Sequence, residues 1–173
     1  MSAAVALPRS RASDFMTLAK PGLTFMVAIT AGVGYWLAAR EAFDFRVLYR
    51  LLIGTVLSAA GAAALNQVLE RHLDARMERT RNRPLPSGRM GVRPAALFGI
   101  VLAAAGVAHL AGAVNLLTAA ISLATIVSYL GLYTPLKTKS SVCTLVGAIP
   151  GALPPVMGWT AARNSLGMEA LVL

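Results

Sequence analysis

The chain has 173 residues, of which 57% are apolar and only 13% charged. A soluble domain carries about 25% charged residues, so with a mean hydropathy of +0.66 the composition excludes a disordered chain and argues against a water-soluble globule. The length allows one domain, the single cysteine (Cys143) excludes an internal disulfide, and the excess of 16 Lys and Arg over 7 Asp and Glu points to nucleic acid only in a soluble protein.

Five apolar stretches are expected as helices, in chain order. The first is 23–39, after Lys20-Pro21-Gly22, and the second is 51–69. The third is 95–114, opened by Pro94, a good first-turn residue. The fourth is 116–133, after Asn115, and the fifth is 142–159. Each is near the ~20 residues that cross ~30 Å of hydrocarbon, and none contains Lys, Arg, Asp or Glu. Barrel strands would alternate in polarity, and these stretches do not. Frequent Gly and Ala suit close helix packing in lipid. The expected fold is therefore an all-α polytopic membrane bundle. Residues 168–173 read as the opening of a sixth span, so residues 1–173 are expected to be the N-terminal part of one longer domain.

Basic residues collect in cytoplasmic loops. Arg9, Arg11 and Lys20, the seven arginines of 70–93, and Lys137 and Lys139 lie on one side, twelve in all; Arg40, Arg46, Arg50 and Arg163 are the four on the other. This bias predicts a cytoplasmic N-terminus in the cell inner (plasma) membrane and explains most of the net charge without nucleic acid.

The segment after the second stretch carries chemistry. If that helix continues past Leu69, Asn66, Glu70 and Asp74 stand four apart on one face, and Glu78 extends the line further round. Like charges at this spacing repel, which favours a bound cation or neighbouring arginines. Oxygen ligands suit Mg²⁺, and arginines suit a diphosphate. The chemistry implied is loss of a diphosphate leaving group, its developing charge stabilised by metal and guanidinium. Surface pairing of Arg71 with Asp74 and of Arg81 with Glu78 is the competing reading.

These residues resemble the first aspartate-rich motif of the UbiA superfamily of intramembrane prenyltransferases. Asn66, Asp74, Arg79-Thr80 and Arg83-Pro84-Leu85 match it, and Glu70 stands where the family usually has Asp. Tyr133-Thr134-Pro135-Leu136-Lys137 is similar to the family's Tyr-x-x-x-Lys motif, and Lys20-Pro21 to its N-terminal Lys-Pro-Arg, with Gly22 replacing the arginine. The run from Gly147 to Trp159, with Pro154-Pro155 and Gly158-Trp159, resembles the protoheme-farnesylating branch.

The resemblance implies about nine membrane helices around a cavity. It implies farnesyl transfer from farnesyl diphosphate to the vinyl group of heme B, giving heme O and diphosphate, with Mg²⁺. It also implies a second aspartate-rich motif on a later helix, so the present chain is expected to be inactive alone. Asn66 and Asp74 are then catalytic, and Glu70 and Asp74 hold the metal. Lys20, Arg71, Arg79, Arg83, Tyr133, Lys137 and Lys139 bind diphosphate. No heme-contacting residue is assigned. Two other functions stay open: prenylation of an aromatic quinone precursor, and a non-catalytic assembly or transport subunit.

Pro150, Pro154 and Pro155 interrupt the fifth stretch, as a broken helix lining a cavity or as a packed kink. Lys137 and Lys139 read equally as a positive-inside signal. Tyr35, Trp36 and Trp159 read as interface anchors, and His109 as a neutral partner of a backbone carbonyl.

Overall fold

In a bilayer, an uncharged stretch can satisfy its own backbone only as a helix, and the chain follows that rule. The structure, a computed structural model, describes residues 10–40, 42–138 and 142–171; Arg9, Lys139 and residues 172–173 lie outside these. Among the described residues there is no strand. The helices are α1 (Arg11–Ala19), α2 (Pro21–Ala39), α3 (Phe45–Asp74), α4 (Val92–Ala113) and α5 (Leu116–Val127). A π-helical segment (Ser128–Tyr133) and one turn, α6 (Thr134–Leu136), extend α5, and α7 (Cys143–Arg163) follows. Among the described residues, five stretches are long and apolar enough to cross a membrane: Arg11–Ala39, Phe45–Asp74, Val92–Ala113, Leu116–Leu136 and Cys143–Arg163. The protein is a multi-pass membrane protein. Met168–Leu171 forms a 3-10 turn.

The apolar pattern marks no element before the first span, yet α1 is there. Ser10 caps it, its hydroxyl accepting from Ser13 N at 3.3 Å. The helix ends at Lys20, which takes the left-handed conformation (φ 47°), and Pro21 opens α2 at once. Two side chains satisfy the carbonyls stranded at this break. Gln67 Nε2 donates to Thr17 O and Leu18 O at 3.0 and 3.1 Å, and the Thr24 hydroxyl donates to Ala19 O at 2.7 Å.

Lipid supplies no hydrophobic drive between helices, so small residues decide the packing. α3 packs chiefly on α4, and α2 on α7. A methyl added at Gly61 would fall on the backbone of Gly99 and Ala103, and one at Gly106 on Ser58 and Gly54. A methyl at Gly34 would fall on Pro155, and one at Gly158 on Ala31 and Tyr35. In both pairs backbone touches backbone.

Two expectations are corrected here. α7 is continuous through Pro150, Pro154 and Pro155, so the broken-helix reading fails. The prolines remove donors, and the helix packs on α2 where the Pro155 backbone lies against Gly34. Tyr35 is no interface anchor: it is 2% exposed, donates to Asp44 O at 2.9 Å and accepts from Asp44 N at 3.2 Å. It thereby ties the end of α2 to the N-cap of α3. Trp36 is exposed, and His109 Nε2 lies 3.2 Å from Arg50 O, a carbonyl partner as expected.

Candidate active site

Helix α3 presents a cavity-facing stripe at the three- and four-residue spacing of one helix face: Thr55, Ser58, Ala59, Ala62, Ala63, Asn66, Glu70 and Asp74. Over these residues the helix climbs about 28 Å, nearly the hydrocarbon thickness. Leu23 and Val27 of α2, Ser122, Thr125 and Ile126 of α5, and Pro150, Gly151, Pro154 and Met157 of α7 complete the walls of a cavity of about 680 Å³. The Ser58 and Thr125 hydroxyls donate to carbonyls of their own helices, so the walls they present are effectively apolar.

The mouth is polar. Four cations, Lys20, Arg79, Arg83 and Lys137, stand around two carboxylates, Glu70 and Asp74. Asn66 and both carboxylates are buried, at 2%, 6% and 4% exposure. Glu70 Oε2 accepts from Asn66 Nδ2 at 2.9 Å, and Oε1 from Lys137 Nζ at 3.2 Å. Asp74 Oδ2 accepts from Arg83 NH1 at 2.7 Å. Lys20 Nζ and Asp74 Oδ1 make no hydrogen bond among the described residues. Lys20 is half-buried with its ammonium donors unused, and four cations face two carboxylates, so this mouth suits an anionic ligand.

The loop after α3 brings Arg83 back onto Asp74. Thr80, fully buried, donates from its hydroxyl to Asp74 O at 2.8 Å and caps the helix end. Pro84 and Leu85 are then buried, Leu85 in a cluster with Leu18, Ala64, Val68 and Ala95. Arg89 clamps the far side, bonding Asp14 Oδ1 and Asn82 O.

Tyr133 and Lys137 arrive by way of the π segment. Thr134 N donates to Tyr129 O, and this wider turn stacks the Tyr129 and Tyr133 rings, their centroids 5.8 Å apart. Gly147 leaves room for the Tyr133 ring; a methyl there would come within 2.8 Å of it.

Lys20, Asn66, Glu70, Asp74, Arg79, Arg83, Tyr133 and Lys137 thus meet at one mouth. Arg71 does not. One residue past Glu70, it is turned about 100° away from the acidic face. Its NH1 donates to Val68 O at 2.9 Å, so it leaves the diphosphate set. Glu78 is also off the line, because α3 ends at Asp74; it is 91% exposed and lies 3.8 Å from Arg81. Lys139 lies outside the described residues. Tyr129 and Thr134 were missed; their signal was an aromatic four residues before Tyr133 and a hydroxyl directly after it.

Mg²⁺ takes one or two carboxylates and completes its shell with water and phosphate oxygens. Glu70 and Asp74, one turn apart with a free Oδ1 on Asp74, fit that demand. Among the described residues no group of three or more His, Cys, Asp or Glu comes together, so the pair could offer a metal one side of its shell and not a cage.

A sequence profile of the UbiA prenyltransferase family matches residues 27–173. A protoheme IX farnesyltransferase of Myxococcus xanthus is 50% identical over 162 residues, covering 94% of this chain and 55% of that protein. That of Solibacter usitatus is 45% identical, covering 92% and 58%, and that of Legionella pneumophila 37% identical, covering 92% and 55%. The chain spans about half the length of the curated relatives it matches. A solved structure from work on digeranylgeranylglyceryl phosphate synthase in membranes superposes with a TM-score of 0.82 at 15% identity, over 93% of this chain and 56% of that one. At that identity the likeness is one of fold.

Proposed function

The chain belongs to the UbiA prenyltransferase family, and from that premise we propose that the whole protein transfers a farnesyl group from farnesyl diphosphate to protoheme IX (heme B), giving heme O. The observation that carries this is a buried carboxylate pair ringed by four cations at the mouth of an apolar cavity. The named relatives, protoheme IX farnesyltransferases at up to 50% identity, support the choice of acceptor.

Lys20, Arg79, Arg83, Tyr133 and Lys137 bind and orient the diphosphate, and the apolar walls of α2, α3, α5 and α7 take the prenyl chain. Asp74 and Glu70 hold Mg²⁺, which when bound neutralises charge on the leaving group. As the C–O bond breaks, its electron pair leaves with the diphosphate. The heme vinyl group then supplies the electrons of the new C–C bond, and water adds to the carbon left cationic and loses a proton. The apolar walls keep water from the allylic cation until the acceptor reaches it.

The test is to give the whole protein farnesyl diphosphate, heme B and Mg²⁺ in lipid. Heme O and diphosphate are the expected products. Prenylation of an aromatic quinone precursor in place of heme would overturn the acceptor; no transfer to either would favour an assembly role.

The site lies at one end of the bundle, with the start of α2, the loop between α3 and α4, and the start of α7. With the twelve-to-four basic bias of the sequence, we place this end in the cytoplasm and the protein in the inner membrane. In a Cys143→Ser background, single cysteines at Arg81 and Asp44 are expected to label from opposite faces, Arg81 from the cytoplasmic one. Labelling of both from outside would refute this orientation.

A further inference from the structure

We propose that Thr134 is a positioning residue: acting through Asn66, it fixes the direction in which Glu70 presents its carboxylate to the cavity. The inference rests on the mouth being a metal–diphosphate site.

Thr134 is buried, and its hydroxyl lies 2.9 Å from Asn66 Oδ1 and 2.8 Å from Tyr129 O. A hydroxyl has one hydrogen to give. Tyr129 O already receives the backbone N–H of Thr134 across the π turn, so the hydroxyl hydrogen is best used on Asn66 Oδ1. That bond decides which way the amide faces. With Oδ1 engaged by Thr134, Nδ2 turns to Glu70 Oε2 at 2.9 Å, while Lys137 holds Oε1 at 3.2 Å. The flipped amide would set its oxygen against a buried carboxylate, a repulsion with little solvent to screen it. Thr134, Asn66 and Lys137 therefore grip Glu70 from two helical segments, and Asn66 serves it as a donor.

Substitutions separate this role from a structural one. Thr134→Val keeps the shape and removes the donor; Thr134→Ser keeps the donor. The readout is Mn²⁺ affinity in the presence of inorganic diphosphate, by electron paramagnetic resonance on the whole protein in nanodiscs, with melting temperature recorded alongside. Thr134→Val is expected to weaken Mn²⁺ binding about tenfold, the worth of a buried hydrogen bond that orients a charged group. Thr134→Ser should restore it to within about threefold. In an Asn66→Ala background, Thr134→Val should cost less than about twofold, because a residue acting only through Asn66 has nothing left to act on.

A full Thr134→Val effect in the Asn66→Ala background would overturn the inference, and so would a serine variant as weak as the valine. A native protein that binds no Mn²⁺ with diphosphate would instead overturn the reading of the site itself, and the inference with it.

Discussion

Asp74→Asn is expected to reduce heme O formation at least about a hundredfold, a loss of about 3 kcal/mol of transition-state stabilisation, while the bundle stays folded. Asparagine keeps the volume of the side chain, and its Oδ1 can still accept from Arg83. What it loses is the charge that holds a divalent cation. Breaking a buried pair by removing one partner usually costs 3 to 5 kcal/mol of stability. The cost here should be smaller, because the Arg83 side chain is 22% exposed and can rehydrate. The cation holds the bound diphosphate as well as the departing one, so the loss should raise KM as well as lower kcat. Glu78→Gln is the control: the same chemical change at a 91% exposed side chain should leave the rate unchanged. Product formation under saturating Mg²⁺, with melting temperatures of both variants, checks the pair. Near-native turnover in Asp74→Asn would make the acidic row structural.

Gly61→Leu is expected to keep α3 from seating on α4 and to cost about 3 kcal/mol or more, the upper range for overpacking. The Cβ alone would lie on Ala103 N and within 2.7 Å of Gly99 O. These are backbone atoms of a helix and cannot rotate out of the way. The contact repeats a heptad away, where Gly54 faces Leu110 and the Gly106 carbonyl. Since α3 carries Asn66, Glu70 and Asp74, splaying it from α4 also withdraws the carboxylates from Lys137 and Arg83. Gly112→Leu is the matched control, because a methyl at Gly112 meets nothing within 4 Å. Reversible unfolding in detergent should show a large loss of stability for the first variant and little for the second. Equal stabilities would mean that this interface gives way more easily than its geometry implies.

That five apolar stretches form helices, and that Asn66, Glu70 and Asp74 align on one of them, was determined by the sequence alone. Both follow from local rules: a bilayer forces uncharged stretches of this length into helices, and four-residue spacing stacks side chains on one helix face whatever surrounds it. The motif residues were legible in the same way, as an ordered set of chemical types along a short segment. Their partners were not. Arg71 and Arg83 look alike in composition, and only the Thr80 cap and the buried Pro84-Leu85 turn bring Arg83, and not Arg71, onto Asp74. The three prolines of α7 carried two readings, and the structure has a continuous helix packed on α2. Thr134 gained a role only when the π turn set it against Asn66, 68 positions away in the chain. Periodicity fixes which face a side chain occupies on its own helix. Which other helix meets that face depends on backbone approach at a few glycines, a balance of packing over the whole bundle that only the tertiary structure decided.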